Sequence, residues 1–343
     1  MPLLSPRKTK ALLPLEKETF LSIEKSRQEI IDLITGVDQR LAVVVGPCSL
    51  HDIDSALEYA IKLKKLQEHV KKTCLLVMRA HIEKPRTCLG WKGLLHDPYL
   101  NGGADIAHGL FISRQILLEL ANVNIPLATE FLDPIASNYF SDLISWGFIG
   151  ARTSSSQIHR QLASSSLMPI GFKNSIEGNL ESAIHGVVAA QQSQSFLNID
   201  EDGYVEETKS KGNPFCHIVL RGSEKGTNYE ADEIQSASLL SKKNGVQRRI
   251  LIDCSHGNSQ KNHLNQEDVF FSTIRQYLCG NRSILGSMIE SHLEEGTQPF
   301  NSLSLNPSVS LTDACIGWRT TERLILSAHE ELSDSLLNSS LSS

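Results

Sequence analysis

From Leu41 onward, short runs rich in β-branched residues alternate with longer stretches of mixed polar and apolar character. The short runs predict strands at Leu41 to Val45, Leu75 to Met78, Ile125 to Thr129, Phe148 to Ala151, Pro169 to Phe172, Ser195 to Ile199, Ile250 to Ile252 and Ile284 to Ile289. The gaps between them mostly suffice for a crossover helix, so the strands should lie parallel, with both faces covered. Eight such units favour closure into a (β/α)8 TIM barrel, with a doubly wound open sheet as the alternative. After the sixth run, Gly203 to Glu207 and Cys216 to Leu220 read as an inserted hairpin, joined by a polar loop through Gly212-Asn213-Pro214.

Ahead of the barrel, Phe20, Ile23, Ile30, Ile31, Leu33 and Ile34 follow Leu13-Pro14 in a pattern that fits one or two amphipathic helices. Residues 1–40 are therefore expected to form an N-terminal helical extension making oligomer or regulatory contacts, residues 41–332 the catalytic barrel, and the serine-rich residues 333–343 a frayed tail.

Composition narrows the function. The 343 residues would allow about two average domains, or one barrel of about 250 residues with extensions. With 40% hydrophobic residues the chain can fill a core. Its 33 Lys and Arg against 39 Asp and Glu, with no basic block, exclude a general nucleic-acid or anionic-membrane partner. No apolar run is long enough for a bilayer, and the start of the chain has no secretory pattern. Seven cysteines, odd in number and without a CxxC pair, point to a reducing compartment, expected to be the cytoplasm.

Chemistry gathers where the predicted strands end. The first leads into Gly46-Pro47-Cys48-Ser49; the others reach Arg79, Glu130, Arg152, Lys173, His256 and Glu290, and the hairpin ends at Arg221. In a parallel barrel all these positions share the C-terminal face, where such folds build active sites. One charged residue after a strand is ordinarily a solvated loop position. Repetition at nearly every strand end is a constellation.

Two chemical subsets separate. Cys48, His256 and Glu290, with Asp313 just beyond the barrel, offer thiolate, imidazole and carboxylate donors. That mixture suits a divalent Mn2+, Fe2+, Co2+ or Zn2+ ion better than Mg2+. The second subset is Arg79, Lys84, Arg86, Arg152, Lys173 and Arg221, cations suited to phosphate or carboxylate groups, and their mutual repulsion calls for more than one anion.

With these residues in view, the stretch from about Asp38 to Trp318 resembles the type I 3-deoxy-D-arabino-heptulosonate 7-phosphate (DAHP) synthase family. The resemblance rests on Gly46-Pro47-Cys48-Ser49, Glu83-Lys84-Pro85-Arg86-Thr87, Gly90-Trp91-Lys92-Gly93, Gly150-Ala151-Arg152-Thr153, Gly171-Phe172-Lys173-Asn174, Leu220-Arg221-Gly222, Ser255-His256-Gly257-Asn258-Ser259, Glu290-Ser291-His292-Leu293 and Thr312-Asp313-Ala314-Cys315-Ile316-Gly317-Trp318. The chain departs from the family's usual pattern at Ser154-Ser155-Ser156, Ser175-Ile176, Ser223 and Pro307-Ser308-Val309.

The resemblance implies a TIM barrel that condenses phosphoenolpyruvate with erythrose 4-phosphate, giving DAHP and phosphate, the first step of the shikimate pathway. It implies Cys48, His256, Glu290 and Asp313 as ligands of a divalent metal that polarises the aldehyde. It places Arg79, Lys84, Arg152, Lys173 and Arg221, with Glu130 and the backbone around Ala151, about phosphoenolpyruvate, and Arg86 and Thr87 at the phosphate of erythrose 4-phosphate. Lys84, Arg79, Lys173 and His256 become the expected catalytic residues. It further implies a homodimer or homotetramer and an aromatic amino-acid effector bound near the N-terminus and positions such as Asn138 and Leu167.

The related 3-deoxy-D-manno-octulosonate 8-phosphate synthases share the barrel and phosphoenolpyruvate, but resemble Ala-Asn-Arg-Ser where this chain has Pro85-Arg86-Thr87. A silent metabolite-binding paralogue is the alternative of another class; it would have no need of four metal ligands and a complete anion site.

Overall fold

The computed structural model describes residues 3–88, 90–300 and 304–341. Two helices come first, α1 (Pro6–Leu12) and α2 (Lys17–Thr35), as the amphipathic pattern predicts. Ser5 caps α1, with Pro6 supplying the fixed φ of a helix start. Gly36 ends α2 in the left-handed region at φ 81°, where a side chain would be strained.

The chain then alternates β1 (Leu41–Gly46), α3 (Ile53–Val70), β2 (Cys74–Arg79), α4 (Ile106–Asn122), β3 (Leu127–Glu130), β4 (Trp146–Ile149), α5 (Gln157–Ser165), β5 (Ile170–Lys173) and α6 (Glu181–Ala190). It continues through β6 (Ser195–Ile199), β7 (Val205–Lys209), β8 (His217–Leu220), α7 (Ala231–Lys243), β9 (Ile250–Asp253), α8 (Gln266–Leu278), β10 (Ile284–Glu290) and α9 (Trp318–Leu341). Between β3 and β4 the crossover is made of two short 3-10 turns rather than an α-helix.

Strands β1, β2, β3, β4, β5, β8, β9 and β10 close in that order into one parallel barrel, so the expected (β/α)8 fold is present. Every residue of these strands is buried, because alternate side chains face the barrel interior and the helical ring. Along β1, Ala42 and Val44 pack inward with Trp146, Phe148 and Met288, while Leu41, Val43 and Val45 join Tyr59 and Leu63 in the outer layer.

One assignment needs correcting. Ser195–Ile199 is not the sixth barrel strand; it pairs antiparallel with Val205–Lys209, Ser195 opposite Lys209 and Ile199 opposite Val205. The sixth barrel strand is His217–Leu220, so the hairpin is inserted ahead of that strand rather than after it. Burial separates the two segments: β6 is nowhere fully buried, whereas β8 is buried throughout. The hairpin turns at Asp200, whose carboxylate accepts from the Asp202 and Tyr204 amides, and at Gly203 with φ 88°. Gly212-Asn213-Pro214 is its exit.

The N-terminal segment is tied into this body. Ile30, Leu33 and Ile34 of α2, fully buried, belong to the same cluster as the barrel interior and plug its N-terminal end. Arg27 donates to the Ile144 carbonyl just ahead of β4. Helix α1 clasps the hairpin through Arg7–Asp202 at 2.8 Å and Lys10–Glu201 at 2.6 Å. At the other end, α9 runs to Leu341, through most of the segment expected to fray; residues 342–343 lie outside the described residues.

Candidate active site

The C-terminal ends of the barrel strands assemble a cavity of about 410 Å³. Its construction starts at Gly46, where an added Cβ would sit 3.0 Å from the Arg79 carbonyl oxygen; only a residue without one lets β1 end against β2 there. The following turn buries Cys48. The Cys48 sulfur and one carboxylate oxygen each from Glu290 and Asp313 lie within 4.8 Å of one another, with Cys48 Sγ to Asp313 Oδ2 at 3.5 Å.

Burial, reinforced by the Glu290 carboxylate, pushes the Cys48 thiol up to about 12, against the pull of Lys84. Three acidic groups packed this closely suit a divalent ion, which would add to the compensation from Lys84 and Arg79 and would bind Cys48 as the thiolate. His256 stands beside these three. It stands in the left-handed region at φ 58°, with Nδ1 2.7 Å from Ser255 Oγ and 3.1 Å from Asp253 Oδ2. Held on that side, the ring presents Nε2 towards Glu290, 3.9 Å from Oε1. The sulfur, nitrogen and oxygen donors thus fit a divalent transition metal.

Beside this cluster the cations meet. Lys84 Nζ is 3.0 Å from the Cys48 sulfur and 3.3 Å from its carbonyl oxygen. Burial alone would lower its pKa, but the Cys48, Glu290 and Asp313 charges outweigh that and raise it, so the ammonium keeps its proton. Lys173 Nζ meets Asp253 Oδ2 at 2.8 Å. Burial works against the Asp253 charge, yet Lys173 and then His256 hold its carboxyl well below the usual range. Arg152 donates to Thr87 Oγ1 at 2.9 and 3.1 Å, joining the turn after β4 to the Lys84–Thr87 loop. The Arg221 amide is fixed by Asn174 Oδ1 at 2.9 Å.

The structure thus brings together Lys84, Arg86, Glu130, Ala151, Arg152, Lys173, Arg221, His256, Glu290 and Asp313 on one cavity wall. Cys48 and Arg79 lie beneath it, both buried, Arg79 held by Glu290 at 3.0 Å. Thr87, the acceptor for Arg152, does not itself line the cavity. Sequence reasoning missed Asp253, the carboxylate that serves Lys173 and His256 together, and Gln266, whose side chain brackets the Glu290 backbone through both its N–H and its carbonyl. Asp253 had a signal: it ends the apolar run Ile250-Leu251-Ile252 at the functional face.

A model of the DAHP synthetase I family matches residues 15–325. The chain belongs to that family. It is 44% identical to the Tyr-sensitive phospho-2-dehydro-3-deoxyheptonate aldolase of Escherichia coli K12, over 97% of this chain and 94% of that one. The Trp-sensitive aldolase of the same organism is 42% identical, over 94% of this chain and 93% of its own length. Among solved structures, the phospho-2-dehydro-3-deoxyheptonate aldolase of Francisella tularensis SCHU S4 superposes with a TM-score of 0.95 at 40% identity, covering 97% of both chains. Membership makes this chain an enzyme of the DAHP synthase type, and neither the octulosonate synthase nor the silent-paralogue alternative has this support. No helix among the described residues is long and apolar enough to cross a membrane.

Proposed function

We propose that this DAHP synthetase I family member condenses phosphoenolpyruvate with erythrose 4-phosphate and water to give DAHP and phosphate, using the residues at the upper mouth of the barrel. The observation that carries the reading is the junction of the Cys48–Glu290–Asp313 cluster with a cavity walled by six lysines and arginines. Arg152, Lys173, Arg221 and Lys84 would hold phosphoenolpyruvate, and Arg79 would brace Glu290 from below. Arg86, with Thr87, would take the phosphate of erythrose 4-phosphate. Such clamps hold the reacting carbons close, which removes much of the entropic part of the barrier.

Cys48, His256, Glu290 and Asp313 would hold a divalent Mn2+, Fe2+, Co2+ or Zn2+ ion, whose Lewis acidity would polarise the aldehyde oxygen. Carbon C3 of phosphoenolpyruvate then attacks the aldehyde carbon. The protonated Lys84, beside the cluster, is placed to give its proton to the new alkoxide. Water adds at C2, and the hemiketal phosphate expels inorganic phosphate by C–O cleavage. Phosphate release with erythrose 4-phosphate but not with arabinose 5-phosphate tests this; release with arabinose 5-phosphate alone would favour the octulosonate reaction.

A second cavity, of about 680 Å³, supports an aromatic amino-acid effector of the kind named in the Tyr- and Trp-sensitive relatives. Phe20, Phe131 and Leu167 offer it apolar surface, Asn138 polar surface, and Arg7 and Glu201 charges for a carboxylate and an ammonium. Inhibition by Tyr, Trp or Phe, removed by Leu167→Asp without loss of basal turnover, is expected. Residues 1–40 would act as regulatory and oligomer contacts, residues 41–332 as the catalytic barrel and residues 333–343 as a tail. Exposed Leu197, Tyr204 and Val205 on the hairpin favour a homodimer or homotetramer. Free cysteines throughout favour the cytoplasm.

A further inference from the structure

At the opposite end of the barrel, the loops that enter β1, β9 and β10 enclose an open cavity of about 500 Å³. Its wall carries Lys242, Arg248, Arg249 and Arg282 and no acidic side chain. None of the four forms an ion pair with a described residue. Arg248 donates to the carbonyl oxygens of Pro214 and Gln247. Arg249, itself 7% exposed, donates to the Asp38 carbonyl at 3.0 Å and to the Gln39 side-chain oxygen. The Asp38 carboxylate is engaged by Arg40 at 2.7 Å. Arg282 lies over the Tyr277 ring, 4.4 Å from its centroid, which orients the guanidinium without neutralising it.

We propose that this lower cavity is a binding site for a small multiply charged anion bearing phosphate groups. Four like charges share this wall, and the one carboxylate acting on Arg249, that of Asp38, is already paired with Arg40, so an anion bound here meets little competition. Arg248 and Arg249 precede β9, Arg282 precedes β10, and Gly36 and Gln39 precede β1, so the site is fixed by the barrel frame rather than by a mobile loop. Arg282, whose guanidinium donates to no described residue, can meet phosphate oxygens bidentately, Arg248 and Arg249 keep single N–H groups beside their carbonyl bonds, and Ser238 and Ser283 on the same wall add hydroxyl donors. The site is separate from the upper mouth, and its proposal does not rest on the reaction assigned there.

The test is a titration of the metal-loaded enzyme with inorganic phosphate, read as the unfolding midpoint, in the wild type and in Arg86→Gln/Arg152→Gln, whose upper mouth has lost two of its cations. A saturable rise is expected in both. In Arg248→Gln/Arg282→Gln the phosphate concentration for half-effect should rise about tenfold or more, with the Michaelis constant for phosphoenolpyruvate unchanged as proof of folding. A crystal soaked in tungstate should show an anomalous peak between Arg249 and Arg282. An unaltered phosphate response in the double variant, or a peak at the upper mouth alone, would overturn the proposal.

Discussion

The Asp253 carboxylate at the end of β9 meets the Lys173 ammonium at the end of β5 at 2.8 Å, both groups buried, across the end of the intervening β8. The same carboxylate reaches His256 Nδ1 at 3.1 Å, so one acidic side chain orients both a cation proposed to hold phosphoenolpyruvate and an imidazole proposed as a metal ligand. Replacing it by asparagine leaves a buried ammonium unpaired, at a cost of about 3–5 kcal/mol in comparable pairs. Asp253→Asn should raise the Michaelis constant for phosphoenolpyruvate about tenfold or more and weaken metal retention together. Steady-state kinetics with metal analysis checks this; a variant with only a lowered melting temperature would leave Asp253 a purely structural group.

Arg86 and Thr87 are consecutive in the chain but separate in consequence. Arg86→Gln removes a cation from the cavity wall and should raise the Michaelis constant for erythrose 4-phosphate by about ten- to a hundredfold, leaving that for phosphoenolpyruvate nearly unchanged. Thr87→Val instead releases Arg152, which it holds at 2.9 and 3.1 Å, and should weaken phosphoenolpyruvate as well. Initial-rate kinetics varying each substrate in turn separates the two effects.

Below the site, His217 lies in the barrel interior and accepts from the Trp146 indole N–H at 3.0 Å, while its Nδ1 faces the Ile218 carbonyl at 3.1 Å. Burial lowers its pKa from the ordinary 6.5 to about 4. Because the unfolded chain takes up this proton at higher pH than the native one, stability is complete above about 6.5 and falls as the pH drops towards 4. The loss should approach about 3 kcal/mol. Unfolding free energies measured at pH 7 and pH 4.5 should differ less in His217→Gln than in the wild type; equal differences would remove His217 as the cause.

Much of this site was legible because a parallel barrel gives each strand end the same address. Cys48, Lys173 and Glu290 follow apolar runs directly, and the run itself marks where the chain reaches the functional face. The hairpin was misread for the converse reason: Ser195–Ile199 and His217–Leu220 have similar apolar content, and only exposure tells an external ribbon from a barrel strand. The plug formed by Ile30, Leu33 and Ile34 was readable as an amphipathic face, but its receptor, the interior of eight strands, exists only in three dimensions. Asp253 is not legible as a partner because Lys173 reaches it from β5, beyond β8, and His256 turns back to it from three residues further along the chain.

The central claim is that the Cys48, His256, Glu290 and Asp313 cluster holds a divalent ion beside a pocket for two phosphorylated substrates. Phosphate release from phosphoenolpyruvate and erythrose 4-phosphate, measured on chelator-treated protein before and after Mn2+ addition, tests it most directly in the wild type and in Cys48→Ala. The account predicts activity that disappears on chelation, returns with Mn2+ in the wild type and does not return in Cys48→Ala. Equal restored rates in the two proteins, or full activity in the chelated wild type, would contradict it.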